Sequence, residues 1–288
     1  MKIVKISGGL GNQMFQYAFA KAYSLKNNCE VLLDISWYEN ENDLGVVAKR
    51  NFELEVFNIN LKFATKEEIE TCKDKKRNSH LPKLIRKVLN RPKYVSNEVF
   101  EKDAGVFDSE LLNLKDNAYY EGFFQSEKYF KDFRDEILKD FTLKLSLDDK
   151  NNEMLKQITS TNSVSLHVRR GDYVKLQSVY KLCTLNYYNQ AINFICQRVE
   201  NPHFYIFSDD CEWVRENLKI EHENTIVNIN KEGYFDLELM KNCKHNIIAN
   251  SSFSWWGAWL NNGIVVAPKT WFVKMLDTDI IPENWTRL

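Results

Sequence analysis

Two arginines stand side by side in SLHVRRGDYVK, residues 165 to 175, with Asp172 two places beyond them. A guanidinium is a planar fork matched to phosphate oxygens, so such residues at the end of an apolar run point to a phosphorylated ligand. In an extended strand Arg169 and Arg170 would face opposite ways, a rule that relaxes where the chain turns at Gly171. The expectation is that Arg169 reaches a diphosphate while Arg170 pairs with Asp172 or a neighbouring carboxylate. The plainer alternative is a buried Arg–Asp pair that only fixes a turn. NSSFSWWGAWL adds a second anion site, because Asn250, Ser251 and Ser252 end a strand and open a helix whose first N–H groups are free. GGLGN offers a third, with a purely structural tight turn as the alternative: three of the ten glycines fall within the first eleven residues, where they permit close approach of backbone to ligand ahead of another helix start. This turn lacks the GxGxxG spacing and a GK[ST], which argues against a nicotinamide-dinucleotide site and a P-loop.

These residues need a scaffold, and the chain supplies one. From Ser163 to Pro268 apolar runs (SVSLHV, HFYIF, TIVNI, NIIA, IVVAP) alternate with stretches of helical spacing. That alternation predicts a parallel sheet with helices on both faces, whose ligands bind outside the carboxyl ends of the strands. The residues that follow the strands are Arg169, Arg170 and Asp172, then Ser208, Asp209 and Asp210, then Asn230 and Lys231, then Asn250 to Ser252. They all fall on that edge. The start of the chain repeats the theme: a strand over Lys2 to Ser7, the glycine turn, a helix over QMFQYAFAKAYSLK and the strand EVLLD. Trp256 and Trp259 read as helix packing against the sheet, while Phe253 or Trp255 is placed to cover a base or a sugar face.

With 288 residues the expected organisation is two halves, 1–150 and 151–288, with a cleft between them. Thirty-nine basic and forty acidic residues give a formal charge of −1, so no global field draws the protein to nucleic acid. Residues 62–93 are the exception, with eleven Lys or Arg against four acids, read either as a solvated helical face or as a surface for anionic lipid. Six scattered cysteines without CxxC or Cys/His spacing read as reduced thiols. No apolar run suits a signal peptide or a membrane span, so the expected location is the cytoplasm, with peripheral contact at the inner membrane face as the sharper reading of the basic segment.

The blocks GGLGNQMFQYAFAKA, YYEGFFQSEKYF, HVRRGDY, FSDD and DLELMKNCKHNIIANSSFSWWGAWL, in that order, resemble the bacterial α-1,2-fucosyltransferases. The resemblance implies a GT-B architecture of two facing Rossmann-like halves, with GDP-fucose as donor substrate, no cofactor, no required metal, and inversion at the sugar. It implies a glycan or glycolipid acceptor with a terminal galactose. Carried over by motif, the donor side comprises Gly11, Asn12, Gln13, Arg169, Ser208, Asp209, Asn250, Ser251, Ser252, Phe253 and Ser254. The acceptor side comprises Glu121, Gln125 and Tyr173. Many family members carry a His-Gly step where this chain reads VYKLCTLNYY, with Tyr180 and Lys181, so acceptor choice transfers least.

The expected chemistry is stabilisation of the departing GDP, with Arg169 as the main cation. His167, Asp172 and Glu121 are the candidates to take the acceptor proton, with no single base assigned. A rival reading is a metal-dependent glycosyltransferase using Asp277-Thr278-Asp279, although that triplet lies beyond the last expected strand. Another is a non-catalytic sugar-nucleotide binder on the same fold.

Overall fold

A computed structural model describes residues 1–40, 49–73, 76–77, 94–95, 97–113, 115–171, 174 and 181–288. Asp172, Tyr173, Tyr180 and residues 78–93 of the basic segment lie outside them. The fold is α/β, as expected, and rests on two parallel sheets. In chain order come β1 (Lys2–Lys5), β2 (Leu32–Asp34), a small antiparallel ribbon of β3 (Lys76–Arg77) and β4 (Tyr94–Val95), then β5 (Glu98–Phe100) and β6 (Ala118–Glu121). The first sheet has the order β2-β1-β6-β5. The second half contributes β7 (Asn162–Val168), β8 (Pro202–Ser208), β9 (Asn224–Val227), β10 (His245–Ile247), β11 (Val265–Ala267) and β12 (Thr286–Arg287). Their order is β12-β11-β10-β7-β8-β9.

The helices are α1 (Leu10–Asn27), α2 (Trp37–Asn40), α3 (Lys66–Lys73), α4 (Arg134–Asp140), α5 (Asp149–Ser160), α6 (Leu185–Cys196), α7 (Cys211–Asn217), α8 (Gly233–Asn242) and α9 (Ser252–Trp259). Strand periodicity decides which of them cover which face. On β8, Phe204 and Ile206 join the core beneath α6 and α7, whereas Tyr205 and Phe207 join the opposite core with Ile158 of α5 and Leu239 and Met240 of α8. A period of two thus sorts one strand between two helical layers. On β7 the same rule sends Val164, Leu166 and Val168 towards α6.

α1 is buried on nearly every side, which an amphipathic surface helix would not be. What covers it comes partly from the far end of the chain. Trp255, Trp256 and Trp259 pack into the core around Phe15, with Phe15 4.5 Å from Trp255 and 5.0 Å from Trp256 between ring centroids. Each indole N–H finds an acceptor: Ile280 O for Trp255, Gly11 O for Trp256 and Glu127 Oε2 for Trp259. Trp256 and Trp259 are therefore packing residues, but their partner is the helix of the first half as well as their own sheet. Trp255 is fully buried and cannot cover a ligand, contrary to the reading that offered it.

The strand β12 was not anticipated. It continues the second sheet in parallel from β11, secured by Leu288 N–H to Ala267 O at 3.0 Å and Lys269 N–H to Leu288 O at 2.7 Å. Among the described residues no helix is long and apolar enough to cross a membrane.

Candidate active site

The carboxyl ends of both sheets open on one cleft of about 750 Å³. Its floor is the meeting of two helix starts. α1 follows Gly9, which offers no side-chain cap, and α9 follows Ser251, whose hydroxyl makes no capping bond. Gly8 takes φ +79°, the left-handed region that favours glycine, and turns β1 into α1. At Gly11 a Cβ would stand 2.5 Å from both Ser252 C and Phe253 N, so glycine is what lets the two helix starts touch. First-turn N–H groups and the positive ends of two helix dipoles converge there without a side-chain acceptor, as an anion site requires.

Arg169 stands beside this floor because of strand register. Val168 lies opposite Ser208 across β7 and β8, which brings the next residues, Arg169 and Asp209, together at 2.9 Å between Nη1 and Oδ2. Asp209 also accepts the Arg170 N–H at 2.9 Å. The two arginines part as strand alternation dictates. Arg169 lines the cleft, while Arg170 lies over the Trp213 ring at 4.0 Å and pairs with Asp210 at 3.3 Å. Asp210 is the cap of α7, accepting the Trp213 N–H, and Ser208 Oγ joins Val168 O to Asp210 N–H.

His167, two residues before Arg169 on the same face, lines the cleft but is 4% exposed. Burial, and then the Arg169 charge, push its imidazole down to about 3, so it is neutral at ordinary pH. An imidazole held so low is a weak proton acceptor, which argues against His167 as the base. Other carboxylates in the cleft are better tuned. Burial raises Asp236 to about 6 against the hydrogen bond donated by Asn230 at 2.8 Å. Glu53 is raised by burial and by the facing Glu232, with Arg50 opposing.

Of the expected donor residues, Gly11, Asn12, Arg169, Ser208, Asp209, Ser251, Ser252 and Phe253 all line the cleft. Three do not. Gln13 is fully buried, and its amide is consumed by Gly8 O, Asn51 O and Glu53 N–H. Asn250 donates to Lys181 O and Trp271 O and accepts from Cys183 Sγ, which ties loops together behind the site. Ser254 is buried and returns its hydroxyl to Ala249 O and Ser251 O.

On the acceptor side, Glu121 pairs with Lys5 at 3.3 Å and is not part of the cleft lining. Gln125, only 7% exposed, donates to Asn12 Oδ1 at 2.9 Å and so supports a lining residue from behind. The Asp277 and Asp279 carboxylates are engaged in structure. Asp277 accepts from Trp271 N–H, while Asp279 accepts from Phe107 N–H and pairs with Lys128 at 2.6 Å. Among the described residues no group of three His, Cys, Asp or Glu is arranged to hold a metal ion.

Sequence reasoning missed Trp37, Lys49, Arg50, Glu53, Phe123 and Asp236, all of which line the cleft. Asp236 carried a signal, as an acid set between Phe235 and Leu237 in the first turn of α8. Arg50 and Glu53 carried none, since they follow the point where strand and helix alternation is lost.

The sequence model described as Glycosyl transferase family 11 matches residues 1–288. The chain is 36% identical to an Escherichia coli protein named alpha-1,2-colitosyltransferase, over 99% of this chain and 98% of that protein. It is 32% identical to the Escherichia coli O-antigen biosynthesis glycosyltransferase WbnK, over 98% and 99%. A bovine galactoside 2-alpha-L-fucosyltransferase, SEC1, shares 31% identity over 48% of this chain and 40% of its own length. In three dimensions the chain resembles NodZ alpha-1,6-fucosyltransferase, from a crystal soaked with GDP-fucose, at a TM-score of 0.51 and 13% identity, over 90% and 92% of the two chains. That likeness identifies the arrangement of two facing halves as the GT-B fold. Agreement along the whole length, in the family match and in two bacterial relatives, makes this chain a member of glycosyl transferase family 11.

Proposed function

We propose that the protein transfers L-fucose from GDP-fucose to the 2-hydroxyl of a terminal galactose, with inversion and without a metal. The observation that carries this reading is the convergence of Arg169 with the two uncapped helix starts in a single cleft. Breaking the bond from sugar C1 to phosphate leaves negative charge on GDP, and fixed cations and N–H dipoles aimed there lower the barrier. Arg50, whose side chain lies 3.8 Å from the Cβ position of Gly9, supplies positive charge from the opposite wall. The acceptor oxygen attacks C1 from the face opposite the leaving phosphate. Its proton passes to Glu53, which burial brings nearer to working pH on the wall contributed by the first half. The α-1,2 linkage and the galactose acceptor draw on the names of the colitosyl and bovine fucosyl relatives.

A second reading follows from the 36% identity to the colitosyltransferase. Colitose is fucose without its 3-hydroxyl, so the same diphosphate site serves either donor, and contacts to that hydroxyl decide between them.

The test is incubation with GDP-fucose and galactose-terminated acceptors in EDTA, following GDP release and product mass, with GDP-colitose in competition. Fucosylated galactoside is the expected product. Preference for GDP-colitose selects the second reading, and turnover of GDP-mannose or a UDP-sugar alone overturns both.

A further inference from the structure

We propose that Trp37 and Phe123 form the subsite for the terminal hexopyranose of the acceptor, one aromatic side chain on each side of the Gly8-Gly9 turn. The inference rests on the glycosyl-transfer reading above and adds the place where the acceptor ring lies. Strand order sets the arrangement, since β1 runs between β2 and β6 and leads into the glycine turn. β2 leads into α2, whose first residue is Trp37, and β6 leads into Gly122 and Phe123. Adjacent strands lie about 4.8 Å apart, so the outer two ends stand roughly 10 Å apart, with room for one sugar ring above the turn. Both aromatic residues line the cleft.

Phe123 is 40% exposed, although the next residue, Phe124, is fully buried. The backbone that presents it is costly. Phe124 adopts φ +53°, a left-handed conformation unfavourable for a bulky residue. The half-buried Glu101 accepts the N–H of Phe123 at 2.7 Å and of Phe124 at 3.0 Å, and Gln16 donates to Gly122 O at 2.9 Å. A Cβ on Gly122 would fall 2.5 Å from Glu101 Cβ, so only glycine passes there. A strained loop and a half-buried carboxyl group that together hold a phenyl ring open to a cleft have a rationale if the ring meets a ligand.

Trp37 sits between anchored neighbours, in edge contact with the Tyr38 ring at 4.9 Å. Asp34 accepts from Ser36 N–H at 2.9 Å and from the Tyr119 hydroxyl at 2.6 Å, and Tyr38 donates to Gly8 O at 2.9 Å. A pyranose offers C–H groups on its faces and hydroxyls at its rim. Aromatic walls suit the former, and the neighbouring Asn12 and Glu53 suit the latter.

The test uses the full chain with GDP present, and lactose and methyl β-galactoside as probes in saturation-transfer NMR and titration. Phe123→Ala and Trp37→Ala are each expected to weaken lactose binding about tenfold, with Phe123→Tyr within about twofold of the parent. Unfolding temperatures and GDP affinities, measured on the same samples, separate this from misfolding. Lactose binding unchanged in both alanine variants, or absent from the parent for both probes, overturns the subsite. A parent that binds lactose but not GDP leaves the subsite standing and removes the donor assignment instead.

Discussion

Gln13 Oε1 accepts the backbone N–H of Glu53 at 2.8 Å, while its Nε2 donates to Asn51 O at 2.8 Å and Gly8 O at 3.0 Å. One buried amide thereby fixes a cleft wall to the glycine turn. Gln13→Leu keeps the volume and takes this partner from Asn51 O and the Glu53 N–H, while Gly8 O keeps the Tyr38 hydroxyl. The expected loss is about 1 to 3 kcal/mol in urea unfolding, together with weaker transfer, because Arg50 and Glu53 lose their anchor. Unchanged stability would refute the clamp.

The adjacent arginines should separate in function. Arg169→Ala is expected to lower kcat by about 10² to 10³ through loss of leaving-group stabilisation. Arg170→Ala removes a cation–π contact, at a cost of about 0.5 to 1 kcal/mol, and should leave most of kcat. Steady-state GDP release together with thermal unfolding distinguishes the two, and equal kcat losses would contradict the assignment.

Glycines two residues apart should tolerate alanine differently. At Gly9 the nearest atoms to a new Cβ belong to the Arg50 side chain, at 3.8 Å. At Gly11 they are backbone atoms of Ser252 and Phe253, at 2.5 Å. Gly11→Ala should cost about 1 to 3 kcal/mol and most of the activity, with Gly9→Ala close to the parent in stability. Circular dichroism melts of both proteins provide the comparison.

Burial pushes Glu101 up to about 7 from an ordinary value of 4.5, so the fold favours its protonated form. Its contribution to stability is therefore full below pH 4.5 and is lost as the pH rises towards about 7. Urea midpoints of the parent should fall across that window more steeply than those of Glu101→Gln, which keeps an acceptor for the Phe123 and Phe124 amides. Parallel curves would show that Glu101 does not titrate there.

If Glu53 takes the acceptor proton, Glu53→Gln should lower kcat by about 10² to 10⁴ with GDP affinity retained. The parent's kcat should fall on the acid side as this carboxylate protonates, and that limb should vanish in the variant. A persistent acid limb would point to Asp236.

Much of this was legible because it depends on local pattern. The apolar runs of β7 and β8 declared a parallel sheet, and the residues after them fell at its ligand-binding edge. Arg169 followed directly. Alternation separates the two arginines, but that Arg170 lands on Trp213 required the register of β7 against β8, which pattern alone does not specify. Gln13, Asn250 and Ser254 were misassigned for a simple reason: a polar residue beside a motif reads the same whether it meets ligand or buried backbone. Arg50 and Glu53 went unseen because Gln13, far away in the chain, places them. β12 has only two residues, too few for any periodicity to emerge.

The seam where Trp256 holds Gly11 O and the start of α9 abuts α1 also has a mechanical meaning. It joins the two halves at the floor of the cleft, and the Arg134 bonds to Trp259 O and Asn261 O and the Lys128–Asp279 pair tie them together again farther out. The floor is therefore preformed, its two helix starts held in place by protein contacts alone.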